Sequence, residues 1–103
     1  MSSPTQRALK EYKKRGCSIC VTEKWLGGKK HDAFGFGDLL VICEPNILLV
    51  QVTSGSNHAA RRNKINAIEE SKKWLRSGGK IVIISFTKGS NGRYNMKEEF
   101  ITL

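Results

Sequence analysis

The sequence predicts an α/β fold: a mixed central sheet of about four to five strands flanked by helices, in the order αβββαββ. Three observations point there. Two apolar runs, residues 38–43 and 47–53, are separated only by Glu44, Pro45 and Asn46, which are turn residues, so the pair reads as a hairpin. In the second run Leu49, Gln51 and Thr53 face one way and Leu48, Val50 and Val52 the other; with both faces largely apolar, it reads as a central strand covered on both sides. A helical stretch at 58–76 then leads to a continuous apolar run at 80–86, a buried strand expected to lie parallel to 47–53 through a right-handed crossover.

The remaining elements follow in chain order. Ser2 or Ser3 caps a helix that has Pro4 in its first turn. That helix, residues 5–15, is basic, carries Ala8, Leu9 and Tyr12 inward, and ends at Gly16. Residues 17–25 switch to period two: Cys17, Ile19, Val21, Glu23 and Trp25 share one face, and Ser18, Cys20, Thr22 and Lys24 the other. Glu23 is out of place on the more apolar face, and strand position alone makes it an edge acid turned to solvent.

Residues 26–37 read as a loop with four glycines beside Lys29, Lys30, His31 and Asp32. Such a loop either approaches a phosphate backbone closely or simply connects two strands. In the 58–76 helix Ile65, Ile68 and Leu75 form a stripe with Ala60 and Trp74 near it, and Gly78 and Gly79 stop it. Residues 88–93 form a loop, and 94–103 a last edge strand.

At 103 residues the chain reads as one domain, and its 39% hydrophobic content is enough for one core. Lys and Arg number 18 against 9 Asp and Glu, a net charge of +9 that implies a polyanionic partner, most simply a nucleic acid. No helix combines a continuous apolar face with a Lys-rich one, which sets an anionic membrane surface aside, and no run reaches the ~20 apolar residues of a membrane span. Cys17 and Cys20 have the spacing of a zinc half-site, but no second pair completes a cage, and His31 and His58 stand alone. An odd cysteine count and no apolar leader after Met1 lead to the expectation of reduced thiols and a cytoplasmic location.

The chemistry gathers at one end of the central hairpin. Asp38 opens the first strand, while Gln51 and Thr53 lie at the exit of the second. Buried polar groups cost free energy unless something satisfies them, and a divalent metal suits these better than a core does. Arg61 and Lys64, three residues apart on one helical face, lie close to the end of that second strand.

With Asp38 at the start of the second core strand and Gln51-Val52-Thr53 on the third, the chain resembles the PD-(D/E)XK phosphodiesterase superfamily, the restriction-endonuclease-like nucleases that include Holliday junction resolvases. The runs VTEKW, KKHDAFGFGDLL, VQVTSGSNHAARRNKI and WLRSGGKI look like one small branch of these nucleases, met mainly in phages and bacteria, and the resemblance covers nearly the whole chain.

The resemblance implies a restriction-endonuclease-like core and a DNA endonuclease that uses Mg²⁺, with Mn²⁺ as a substitute. Asp38 would be the anchoring ligand, and Gln51 stands where the family has Glu or Asp. Thr53 stands where the family has lysine, and the family tolerates moving that lysine to the following helix, where Lys64 would serve. Arg61 would do the same or hold a neighbouring phosphate. In that branch the acid corresponding to Glu23 also approaches the metal, which reverses its solvent-facing reading. Arg61, Arg62, Lys29 and Lys30 would hold phosphates, and Asp32 is left between loop-capping and a site role.

The substrate implied is a junction, flap, nick or ordinary duplex. Cutting both strands or gripping a junction with so small a protein calls for a homodimer. A second reading keeps the fold as a nucleic-acid-binding module without chemistry, since Gln51 and Thr53 remove one negative and one positive charge from the usual set. A third, a basic RNA-binding domain, explains the charge but leaves Asp38 and Gln51 idle.

Overall fold

The computed structural model describes residues 3–103. In chain order it consists of α1 (Pro4–Lys14), β1 (Ser18–Val21), β2 (Lys24–Leu26), β3 (Lys29–His31), β4 (Leu39–Cys43), β5 (Asn46–Ser54), a 3₁₀ turn (Gly55–Asn57), α2 (His58–Ala67), α3 (Glu69–Arg76), β6 (Lys80–Lys88) and β7 (Tyr94–Ile101). The fold is α/β with a mixed five-stranded sheet in the order β1-β4-β5-β6-β7. The β5–β6 pair is parallel, as the crossover required, and the other pairs are antiparallel.

The start of α1 is fixed by a reciprocal cap. Ser3 Oγ accepts from the Gln6 N–H at 3.2 Å and the Gln6 side chain accepts from the Ser3 N–H at 3.1 Å, with Pro4 in the first turn. Ser2, the alternative cap, lies outside the described residues. At the other end Gly16 takes a left-handed φ of 82°, and the Cys17 N–H closes back on the Tyr12 carbonyl at 3.0 Å.

The period-two reading of β5 divides the core into two layers. Leu48, Val50 and Val52 join Ala8, Tyr12, Leu39, Val41, Val82, Ile84 and Phe86 under α1. Leu49 joins Phe36, Ile65, Ile81, Ile83 and Ile101 under α2 and α3. Both faces of the central strands are therefore covered by helices, and β5 delivers its polar residues among apolar ones.

Four details differ from the sequence expectations. The 17–25 strand ends at Val21, and the 26–37 loop contributes half of a second hairpin, β2–β3, that stands apart from the main sheet. Gly27 and Gly28, at φ of 58° and 77°, supply its two-residue turn, a conformation that residues with a β-carbon adopt poorly.

The 58–76 helix breaks at Ile68, whose extended backbone separates α2 from α3. No glycine or proline marks that break. The Ser71 hydroxyl sits 2.7 Å from both the Ile65 and Ile68 carbonyls that the break releases. Ala60, expected near the inner stripe, is exposed.

Cys17 and Cys43 are joined as a disulfide, against the expectation of reduced thiols; Cys20 is free and exposed. The cause is register. Ser18 pairs with Ile42, so the preceding position on β1 faces the following one on β4. The bond also removes Cys17 from any zinc half-site. Among the described residues no helix is long and apolar enough to cross a membrane.

Candidate functional site

The site grows from the β4–β5 register. Leu39 pairs with Val50, and one step further the same antiparallel ladder sets Asp38 across from Gln51. The Asp38 N–H donates to the Val50 carbonyl at 2.8 Å, which holds its backbone as an extension of β4. On its other side the Asp38 carbonyl accepts two successive N–H groups, from Thr22 at 2.9 Å and Glu23 at 3.2 Å. Two residues opposite one is the arrangement of a bulge, and this one brings Glu23 alongside Asp38.

Asp38 is fully buried, and its carboxylate is held asymmetrically. Oδ2 accepts from the Gln51 amide at 2.7 Å and from the Val52 N–H at 3.0 Å. The amide orientation follows from charge, since only its NH₂ end is attracted to a carboxylate. Two oxygens are then left over. Both are buried; Gln51 Oε1 has no hydrogen-bond donor among the described residues, and Asp38 Oδ1 faces a side chain from another element.

The group that faces Oδ1 is a cation. Lys30 Nζ lies 3.0 Å from Asp38 Oδ1 and 3.1 Å from Glu23 Oε2, so one ammonium bridges both carboxylates. The β2–β3 pairing delivers it, because Lys30 sits opposite Trp25 on the short second hairpin. Thr5, in the first turn of α1, donates to the other Glu23 oxygen at 3.2 Å, so the N-terminus of α1 also abuts the site.

Burial pushes the Asp38 carboxyl above its usual range, against the opposing pull of the Val52 N–H and the Lys30 ammonium. Burial also works against the Lys30 ammonium, but the Asp38 and Glu23 carboxylates outweigh it and hold Lys30 above its ordinary value.

A hard divalent cation takes oxygen ligands, few of them from protein, and keeps several waters. Asp38 Oδ1, whose present partner is the Lys30 ammonium, and the donorless buried Gln51 Oε1, together with the Glu23 carboxylate, fit that demand. Among the described residues no three His, Cys, Asp or Glu side chains stand together, so the donor set here is two carboxylates and an amide.

The other sequence-selected residues are spread more widely. Thr53 is buried beside Ser85 in the β5–β6 register, without a hydrogen bond to Asp38 or Gln51. Lys64 is exposed on α2, and nothing among the described residues joins it to Asp38 or Gln51; the lysine that the fold brings to the acids is Lys30. Lys29 is exposed on β3, Arg61 is half-buried on α2, and the Asp32 carboxylate makes no ion pair among the described residues.

Arg62 is committed elsewhere. It forks onto Glu99 at 2.9 Å through Nε and 2.7 Å through Nη2. Buried His58 completes that cluster, with Nδ1 2.7 Å from Ser85 Oγ and Nε2 2.7 Å from Glu99 Oε1. This network ties α2 to β6 and β7, and the Arg62 guanidinium holds the Glu99 carboxyl down at about 2. His58 looks isolated in the sequence because its partners lie 27 and 41 residues away.

No protein-family model, curated protein or solved structure matches the chain.

Proposed function

We propose that the chain is a metal-dependent DNA endonuclease that hydrolyses phosphodiester bonds, built on a restriction-endonuclease-like core of the PD-(D/E)XK kind. The observation that carries the reading is the convergence of the Asp38 and Glu23 carboxylates on one ammonium, with the donorless buried Oε1 of Gln51 on the residue that bonds Asp38. Asp38, Gln51 and Glu23 would hold Mg²⁺ or Mn²⁺, which when bound supplies an activated water and neutralises charge on the phosphate. Buried Asp38 anchors the set, and the Gln51 amide and the Val52 N–H fix its orientation.

Lys30 takes the role that the resemblance implied for Lys64. Its ammonium already reaches the acids, and a phosphate oxygen entering beside them meets a ready cation. Lys29 and Arg61 make no ion pair among the described residues and suit flanking phosphates, whereas Arg62 is held by Glu99. Thr53 lines the strand end as a packing residue next to Ser85.

The test is cleavage of plasmid and branched DNA with Mg²⁺ or Mn²⁺, set against Asp38→Ala, with calorimetric titration of the metal alongside. Metal binding and cleavage that both vanish in Asp38→Ala are expected; cleavage unaffected by the change refutes the assignment. We read the working form as a homodimer, and light scattering that gives a monomer with and without DNA refutes the dimer.

One observation favours a second reading, a nucleic-acid-binding module without chemistry. The Lys30 ammonium bridges both carboxylates without any metal, while Thr53 stands where the resemblance implies a lysine. Salt-dependent DNA binding together with no metal binding at millimolar concentration would select it.

A further inference from the structure

A second basic surface lies beside the site, and the candidate centre does not use it. α1 presents Arg7, Lys10 and Lys14 at i, i+3 and i+7, one stripe of the helix, along a groove whose opposite wall is Gly92, Arg93 and Tyr94. None of these four cations has an acidic partner among the described residues. The one acid in the groove, Glu11, is bound by Arg15 at 2.9 Å.

The groove is also built for something flat. The Arg7 guanidinium lies 3.5 Å from the centre of the Tyr94 ring and 6.0 Å from that of Phe86, so it is stacked and held in place. Tyr94 is half-exposed. A fixed guanidinium on an open aromatic ring offers both phosphate contact and a stacking platform.

Its position follows from the sheet. β6 runs parallel to β5 with Phe86 beside Ser54, so the β6–β7 turn that carries Arg93 emerges at the same end as Gln51 and Thr53. The first turn of α1 reaches that end too, where Thr5 bonds Glu23. The groove therefore opens at the same end of the sheet as the Asp38–Glu23 pair and runs from there along α1.

We propose that this groove carries a single-stranded segment of nucleic acid away from the Asp38 centre, with Arg7, Lys10, Lys14 and Arg93 on its phosphates and Tyr94 under an unpaired base. This rests on the nuclease reading for its orientation and narrows the substrate to DNA with an unpaired strand, such as a flap or branch. A membrane surface is disfavoured because Tyr94 is the one large apolar side chain lining the groove among the described residues.

The test uses fluorescence anisotropy with a short oligothymidylate and a blunt duplex in EDTA, on the Asp38→Ala background, so that neither cleavage nor metal contributes. The Arg7→Ala/Lys10→Ala/Lys14→Ala variant is expected to lower the slope of log K against log salt by about 2 for the single strand, since each lost phosphate contact removes about 0.7. Tyr94→Ala is expected to weaken the single strand at least about fivefold and the duplex less.

Lys72→Ala/Lys73→Ala/Arg76→Ala, which removes the same charge from α3, should leave the slope nearly unchanged. Circular-dichroism melts establish that all variants fold. Equal slopes for the two triple variants overturn the proposal. So does binding of vesicles of phosphatidylcholine and phosphatidylserine that is lost in the α1 variant while its DNA affinity is unchanged. Cleavage by the native chain reports separately on the centre: an inactive protein whose α1 variant still loses single-strand binding refutes the nuclease reading and leaves the groove standing.

Discussion

Replacing Lys30 by methionine tests the centre most directly, because it keeps the side-chain stem and removes the charge. At 3.0 Å an ion pair is worth about 1.4 kcal/mol in water-like surroundings and about 5 kcal/mol at an effective dielectric constant near 20. The Lys30 side chain is 35% exposed and that of Asp38 only 1%, so the pair sits between those limits. Methionine also spares the desolvation of the ammonium, which offsets part of the loss. A net destabilisation of about 2 kcal/mol in EDTA follows, or roughly 8–16 °C in melting temperature for a domain of this size.

Divalent metal should reverse the effect. About 10 mM Mg²⁺ on a site with Kd of about 1 mM adds roughly 1.4 kcal/mol. In the native protein that gain is reduced, since the ion must displace an ammonium from the same oxygens. Thermal melts of both proteins with and without Mg²⁺ provide the assay, with a larger Mg²⁺ shift expected in Lys30→Met. Cleavage by the variant should fall about a hundredfold if the ammonium serves the phosphate. An unchanged melting temperature in EDTA refutes the energetic argument, and a Mg²⁺ shift that persists in Asp38→Ala refutes the placement of the ion.

Three further outcomes are expected. Gln51→Glu replaces the amide that donates to Asp38 Oδ2 at 2.7 Å with a second carboxylate; it should destabilise the metal-free protein by about 2–4 kcal/mol and bind Mn²⁺ more tightly than native protein, as read by melts and calorimetry. Because Glu99 is held at about 2 in the folded protein, below its unfolded value, its contribution is present above about pH 4.5 and lost as pH falls through 2. Discounted for solvent screening it is about 1 kcal/mol, and denaturant titrations of Glu99→Gln should show a flatter pH dependence across that window. Gly79→Ala drives a β-carbon into the Trp74 indole at Cε2, where the ring is held by its bond to the Lys80 carbonyl at 2.8 Å; the overpacking should cost about 1–3 kcal/mol in denaturant.

What could be read from the sequence was what is local. The β4–β5 hairpin, the two-sided character of β5, the Ser3 cap and the strand after the helix all follow from periodicity and turn chemistry within short windows. The Asp38–Gln51 pair was within reach for the same reason, since a short turn fixes the register across it. The disulfide was not, because it depends on the β1–β4 register across an intervening hairpin. The His58–Glu99 cluster depends likewise on β7 returning beside β6. The helix break at Ile68 carried no glycine or proline, and only the carbonyl contacts of Ser71 account for it.

Lys30 is the informative case, because its signal was present. Gly27-Gly28 between two three-residue segments marks a tight hairpin, but with Lys24, Lys29 and Lys30 in it the stretch lacks the apolar alternation that announces a strand. All six residues of β2 and β3 are exposed, so the hairpin buries almost nothing of its own. Its attachment to the site is the pair of ion contacts that Lys30 makes with Asp38 and Glu23, together with the chain leading in through the bulge at Thr22 and Glu23. A cation delivered on an element with so little packing can leave the acids at small cost when a divalent ion or a phosphate arrives. A lysine on β5 at the position of Thr53 would be locked into the sheet and could not. The fold thus carries the positive charge beside the Asp38 and Glu23 carboxylates on a thinly packed hairpin and leaves the neutral Thr53 in the sheet.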